Sequence, residues 1–245
     1  MTLTVRGASY YAVDPARAAN GNDCGAKGQV MRARFFRAIV NGGAFPRSPR
    51  REVVFCGRSN VGKSSLLNAL TGVQGLARTS KTPGRTREIH FYEDGHDRYL
   101  VDLPGYGYAK VPVRERRVWA ELVESYLARR DRIALAVLLV DARHEPFESD
   151  LQLAEWLSAG EIPFIVALTK TDKLGNAART ASIGQARAVF TSARACLLTS
   201  SVTKAGIRDL AGWVTASVAG RARSQTVRTG VPRSNDGAVP GGKAQ

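Results

Sequence analysis

The run Gly57-Arg58-Ser59-Asn60-Val61-Gly62-Lys63-Ser64 constrains this chain more than any other stretch. A glycine, four residues and then Gly-Lys-Ser is the spacing of a loop that wraps phosphate oxygens in main-chain N–H groups. Glu52 to Cys56 ahead of it reads as a short buried strand, and Ser65 to Leu70 behind it as the first turns of a helix. A chance glycine-rich turn would lack that context. Gly57 and Gly62 are expected to let the backbone curl until consecutive amides point inward. The helix N-terminus adds the positive end of its dipole. Lys63 then places a point charge on the β- and γ-phosphates, and Ser64 offers a hydroxyl to Mg²⁺, a hard cation that seeks oxygen.

Length and charge bound the rest. A chain of 245 residues suits one domain with extensions, and a hydrophobic share of 44% is enough for a real core. The longest apolar run, Ile133 to Val140, is far short of the ~18 residues of a membrane span. Cys24, Cys56 and Cys196 show neither metal spacing nor a disulfide framework, so a reducing cytoplasm is the expected compartment. The net charge of +15 is uneven: residues 1–51 carry +7 and residues 219–245 carry +4. Basic flanks around a more balanced middle suggest contact with a polyanion, RNA above all, although an Arg-rich solvated surface would give the same count.

Residues 1–33 lack sustained periodicity and are expected to form a disordered extension. A transit peptide would suit their shortage of acids but not their shortage of serines. Arg34 to Val40 could form a short element packed on the core, and residues 41–51 a Gly/Pro/Arg linker. Thr71 to Arg87 is a long polar loop, of the kind that is usually functional. Within it Thr86, and more weakly Thr82, stands between the first helix and the second strand, where a Mg²⁺-binding switch threonine belongs. Glu88 to Tyr92 and Arg98 to Val101 flank an Asp-Gly turn and read as a hairpin, bringing one antiparallel strand into a parallel sheet. His90 and His96 have no partners at ligand spacing.

The second strand ends in Asp102-Leu103-Pro104-Gly105. Asp102 can hold Mg²⁺ through water, and the Gly105 amide can sense a γ-phosphate. Val113 to Arg130 reads as an amphipathic helix, Ile133 to Val140 as a strand buried on both faces, and Asp150 to Ser158 as a helix. Ile162 to Leu168 is the next buried strand. It runs into Thr169-Lys170-Thr171-Asp172, where a carboxylate can accept from both guanine N1–H and N2–H₂ while the stem of Lys170 lies along the base. Ala195 to Thr199 reads as the last strand. Ser200-Ser201 behind it can give guanine O6 a backbone N–H, and Arg208 to Val218 closes as a helix before a flexible tail. Five such motifs at strand ends, in this order, specify a guanine-nucleotide triphosphatase, because ligands of open α/β sheets bind beyond the carboxyl ends of strands.

Three strings, Gly57 to Ser65, Ser80-Lys81-Thr82-Pro83-Gly84-Arg85-Thr86 and Val101-Asp102-Leu103-Pro104-Gly105-Tyr106-Gly107-Tyr108, resemble EngB-type (YihA/YsxC) GTPases of the TrmE–Era–EngA–EngB–septin-like superfamily. The resemblance covers residues 34–218. It implies a Ras-like P-loop fold: a mostly parallel six-stranded sheet with one antiparallel strand and helices on both faces. It also implies GTP hydrolysis, assembly of the large ribosomal subunit by a monomeric protein, and in many bacteria a link to septation. GTP contacts would fall on Gly57 to Ser64; on Gly84, Arg85, Thr86, Arg87 and Glu88; on Asp102, Leu103, Pro104 and Gly105; on Thr169, Lys170, Thr171 and Asp172; and on Thr199, Ser200 and Ser201. Ser64 and Thr86 would hold Mg²⁺, and Lys63, Thr86, Gly105 and Asn60 would serve catalysis. Asn60 stands where K⁺-activated relatives place a cation ligand, and closing the loop by hydrogen bonding is its other reading. Tyr106 replaces the glutamine that orients water in many GTPases, so intrinsic hydrolysis is expected to be slow until a ribosomal component completes the site. Arg78, Lys81, Arg85, Arg87, Lys110, Arg114 and Arg116 would make the nucleotide-sensing loops face RNA. An ATP-using kinase would not explain Thr169 to Asp172. An RNA-modification-linked GTPase would need a further domain. A module that only senses GTP and GDP is the remaining alternative.

Overall fold

The computed structural model describes residues 31–40, 43–77, 88–95, 98–106, 113–128 and 131–219. Lys81, Thr82, Gly84, Arg85, Thr86, Arg87, His96, Gly107 and Lys110 lie outside the described residues, as do the side chains of Arg114 and Arg116 and nearly all of both extensions.

Among the described residues seven strands form one sheet. In chain order they are β1 (Ala33–Ile39), β2 (Arg51–Gly57), β3 (Ile89–Asp94), β4 (Arg98–Asp102), β5 (Ile133–Asp141), β6 (Phe164–Thr169) and β7 (Cys196–Leu198). Their spatial order is β1-β3-β4-β2-β5-β6-β7. β3 is antiparallel to both β1 and β4, while β4, β2, β5, β6 and β7 pair in parallel. The single reversed strand is therefore β3, as the Asp-Gly hairpin predicts.

The six-stranded expectation is corrected to seven. Arg34 to Val40 is not merely packed on the core: it pairs along the outer edge of β3 from Ala33↔Asp94 to Ile39↔Ile89. Packing also starts before the expected boundary at 34, since Met31 is buried.

The helices are α1 (Lys63–Thr71), α2 (Val113–Ala128), α3 (Glu148–Ala159), α4 (Asn176–Val189) and α5 (Ile207–Ala219). Continuous apolar runs make β2 and β5 buried on both faces, so the sheet needs cover on each side. On one side Leu66, Leu67 and Leu70 of α1 and Leu210 and Val214 of α5 pack on Val53, Phe55 and Val137. On the other, Leu122 and Tyr126 of α2, Leu157 of α3 and Phe190 beyond α4 cover Val54, Leu138 and Val166. Truncating one of these leucines to alanine costs roughly 2–5 kcal/mol.

Sequence periodicity did not reveal α4. Its run N-A-A-R-T-A-S-I-G-Q-A-R-A-V buries only Ala186, so no wide apolar stripe marks it, and alanine propensity forms the helix instead. α3 starts before the expected Asp150 because the Asp150 carboxylate reaches back to accept the N–H of Phe147 at 3.0 Å.

Candidate nucleotide site

The ends of β2, β4, β5, β6 and β7 meet on one rim. There β2 runs out at Gly57, and α1 begins at Lys63. The two glycines of the connecting loop serve different ends. Gly62 sits at φ +105°, a turn that side chains resist. Gly57 answers a close approach: an added Cβ would lie 2.8 Å from the Leu139 carbonyl oxygen and 3.0 Å from Val61 Cγ1. The helical ladder starts with Leu66 N–H donating to Gly62 O at 2.8 Å. Among the described residues no side chain caps α1, and its first turn holds no acid. The amides of Lys63, Ser64 and Ser65 thus face outward at a positive helix end, the arrangement that receives an anion.

Lys63 and Asp102 come together: Nζ lies 2.7 Å from Oδ1, with both side chains largely buried. The strip 102–106 runs along the phosphate loop. Ser59 N–H donates to Tyr106 O at 2.8 Å, Tyr106 N–H to Gly57 O at 3.4 Å, and Ser59 Oγ to Gly105 O at 3.1 Å. An added Cβ at Gly105 would stand 2.9 Å from Ser59 N and Cα. Glycine is demanded there by contact with the loop. Val61, Leu103 and Pro104 are buried, so it is their backbone that borders the rim. Asn60 adopts φ +63°, which asparagine tolerates, and its side-chain amide makes no hydrogen bond among the described residues. Its carbonyl accepts from Lys170 Nζ at 2.6 Å. Glu88 is occupied with His90, 3.0 Å away.

At the other end of the rim the hydroxyls build scaffold. Thr169 Oγ1 donates to Val61 O at 2.7 Å, Thr171 Oγ1 to Thr199 O at 3.0 Å, and Thr199 Oγ1 to Leu168 O at 3.0 Å. All three threonines are buried. Ser200 Oγ donates to Asp172 Oδ1 at 2.7 Å, and that bond holds the Asp172 carboxyl below its ordinary range. The Ser200 N–H is spent on Ala205 O at 3.0 Å. The N–H of Ser201 has no acceptor among the described residues. Of the serine pair, Ser201 is thus the one with an amide to give.

Comparison with known proteins fits this geometry. A family model described as a 50S ribosome-binding GTPase matches residues 52–170. The probable GTP-binding protein EngB of Chlorobaculum parvum is 46% identical over 177 residues, which is 72% of this chain and 92% of that protein. This chain belongs to the EngB family of P-loop GTPases. The EngB protein of Thermotoga maritima is 48% identical over 170 residues, 69% of this chain and 87% of its own length. A crystal structure of a probable GTP-binding protein EngB superposes with a TM-score of 0.59 at 28% identity, covering 68% of this chain and 98% of that one. The Ras-like fold expected from the motifs is the fold observed.

Three further residues complete this EngB-type rim, and sequence reasoning passed over each. Asp141 ends β5. Its Oδ2 accepts from Lys170 Nζ at 2.9 Å, and both its oxygens accept from Arg143. Burial works against its charge, but those hydrogen bonds win and hold the carboxyl well below the usual range. Lys170 is thereby strung between β5 and the phosphate loop. An aspartate at a strand end was the available signal.

Asp150 is 1% exposed. It accepts the Tyr106 hydroxyl on Oδ1 at 2.8 Å while Oδ2 takes the Phe147 N–H. Desolvation pushes its carboxyl up and the Tyr106 phenol well up. Beside them the Arg58 guanidinium lies 3.5 Å from the centre of the Phe147 ring. Gly206, at φ +69°, passes under the base-reading loop so closely that a Cβ would lie 1.9 Å from the Leu198 carbonyl oxygen.

The residues present fit Mg²⁺ by their chemistry. The Ser64 hydroxyl and Asp102 carboxylate are hard oxygen donors beside a phosphate-receiving helix end, and Mg²⁺ takes few protein ligands when phosphates supply the rest. No cluster of three or more His, Cys, Asp or Glu forms a self-sufficient metal site among the described residues.

Proposed function

We propose that this GTPase is a nucleotide-switched assembly factor for the large ribosomal subunit. It acts as a cytoplasmic monomer whose G domain spans residues 34–218 between two basic extensions. The observation that carries the reading is the seating of the 102–106 strip on the phosphate loop through Ser59, together with the Lys63–Asp102 pair. A triphosphate that engages Lys63 must take it from Asp102, and a γ-phosphate that engages the Gly105 amide must change the strip's contact with Ser59. Nucleotide state becomes strip position, which is how order–disorder switches operate. The match to a family of 50S ribosome-binding GTPases and the +15 charge support a ribosomal partner.

In this reading the amides from Ser59 to Ser64 and the Lys63 ammonium bind the phosphates. Asp172 and the Ser201 N–H orient guanine. Ser64 and Thr86, with Asp102 through water, would hold Mg²⁺, which neutralises charge on the β- and γ-oxygens when bound. Asn60, whose amide has no partner among the described residues, is the residue to hold K⁺. Tyr106 is turned into the protein by Asp150. No side chain directly after Gly105 orients water, so intrinsic hydrolysis to GDP and phosphate is slow and ribosomal RNA or protein accelerates it. The proposal includes the link to septation that the family resemblance implies.

The test is co-sedimentation with large subunits in a GTP analogue and in GDP across a salt series, with phosphate release measured in KCl and NaCl. Tighter binding with the analogue, falling steeply with salt, and stimulation by subunits are expected. Equal binding in both nucleotides would refute the switch. Equal rates in the two salts would remove K⁺. Depleted cells should accumulate immature large subunits.

A further inference from the structure

The edge of the sheet farthest from the base-reading loop carries a surface that GTP chemistry does not use. Among the described residues β1 pairs only with β3, and its register shifts between Phe35 and Arg37, so Phe36 is the extra residue of a bulge. The outcome is a row of planar groups. Arg37 lies over Phe36 (5.6 Å), Phe36 against Tyr99 (5.3 Å between centroids, tilted 32°), and Arg50 over Tyr99 (5.3 Å). Phe36 is 39% exposed, and Arg37 is exposed. Arg34 and Arg50 both bond the Glu93 carboxylate, and Asp94 beside it is paired with Arg98, so both acids of the cluster are already neutralised and positive charge remains. Next to it opens a cleft of about 480 Å³ bordered by Arg34, Arg50 and Glu93, ample for a nucleotide.

We propose that this β1 face is a docking site for unpaired RNA, occupied whatever nucleotide the GTPase holds. A base stacks on Phe36 in the place of the Arg37 guanidinium, which swings to the flanking phosphate. Arg34 and Arg50 border the path of the backbone. Aromatic rings interleaved with arginines are the chemistry of single-strand recognition: every base has a π-face, and every linkage a negative charge. An acidic protein would satisfy the arginines and leave the ring without a partner. The proposal rests on the reading that the partner contains RNA, but it places a second contact on the sheet edge opposite the base-reading loop.

The test uses the full-length protein saturated with GDP and a fluorescein-labelled single-stranded oligoribonucleotide, followed by anisotropy. Phe36→Ala should weaken binding roughly tenfold, while Phe36→Tyr stays within about threefold of wild type. Arg37→Gln should lower the salt slope by about one. Phe35→Ala is the control: that ring is 54% exposed but packs on His90 and Tyr92 instead, and binding should hold. Phe36→Trp gives a direct readout, its emission quenched as bases stack. Unchanged binding by Phe36→Ala, or unquenched Phe36→Trp at saturation, overturns the proposal. Phe36-dependent co-sedimentation with subunits but not with free RNA would mean a protein partner and also overturn it. Because the test needs neither GTP nor ribosomes, its failure leaves the GTP-dependent switch standing, and failure of the switch leaves this site standing.

Discussion

Tyr106→Phe separates a positioning phenol from a catalytic one. The substitution keeps the ring and deletes one O–H, so packing is unchanged and the loss falls on the bond to Asp150. Both partners are buried, Tyr106 at 8% exposure and Asp150 at 1%. A hydrogen bond to a charged acceptor contributes about 1.5–3 kcal/mol. For a domain of this size that is a fall in melting temperature of roughly 3–12 °C.

The loss depends on pH, and its direction follows from Asp150. Burial raises that carboxyl while the Tyr106 hydroxyl restrains the rise. Without the hydroxyl the folded pKa climbs further above the unfolded value. The neutral acid is then favoured in the fold, so stability is fully present below the unfolded pKa and is lost as pH rises through the folded one. Denaturant titrations of the full chain should show the larger deficit above the raised folded pKa of Asp150 and a smaller one below the ordinary carboxylate range. Turnover at saturating GTP, per folded molecule, should change less than about threefold, against the ~10²-fold or greater loss expected for a group acting on the reaction. A deficit under about 0.5 kcal/mol, one that does not vary with pH, or a collapse of turnover in a folded variant would refute the reasoning.

Other substitutions probe the rest of the rim. Asp172→Ala should abolish the preference for GTP over ITP, which lacks the N2 amine; wild type should prefer GTP roughly tenfold or more in competition binding. Since Ser200 holds the Asp172 carboxyl low, guanine affinity should persist as pH falls below the usual carboxylate range, and Ser200→Ala should move that loss to higher pH. Gly206→Ala must force a left-handed turn and displace the Leu198 carbonyl; unfolding should be easier by at least about 2 kcal/mol, with guanine binding hit harder than phosphate binding. Asp141→Ala should leave Lys170 held by Asn60 alone and weaken GTP several-fold by calorimetry. The depressed carboxyl of Asp141 makes its contribution full above the ordinary carboxylate pKa and lost as pH falls through the folded value.

What could be read from the residues follows how locally each feature is encoded. The loop at Gly57 to Ser64 and the strands before Asp102 and Thr169 are short-range patterns, and the reversed β3 was written in its turn. α4 escaped because alanines leave no stripe. β1 was seen as an element but not as a strand, since its place depends on an edge offered by residues more than fifty positions later. Asp150 and Asp141 escaped for the same reason, each being defined by a partner far along the chain, Tyr106 and Lys170 respectively. Gly206 escaped because its need for glycine comes from a left-handed turn back onto the Leu198 carbonyl, which the residue's identity does not disclose. The spacing did not reveal that Gly57 and Gly105 are required by crowding; only the neighbours do.

The pairing of Lys63 with Asp102 bears on where such a protein can work. A bare ammonium in a ring of amides is a sink for any phosphate, and a chain of charge +15 attracts polyanions of every kind. With its own carboxylate as a stopper, the cradle offers little to a singly charged backbone linkage. A terminal polyphosphate carries enough negative charge to displace it. The Lys63–Asp102 pair thus works as a filter that sorts phosphates by charge before any base is read.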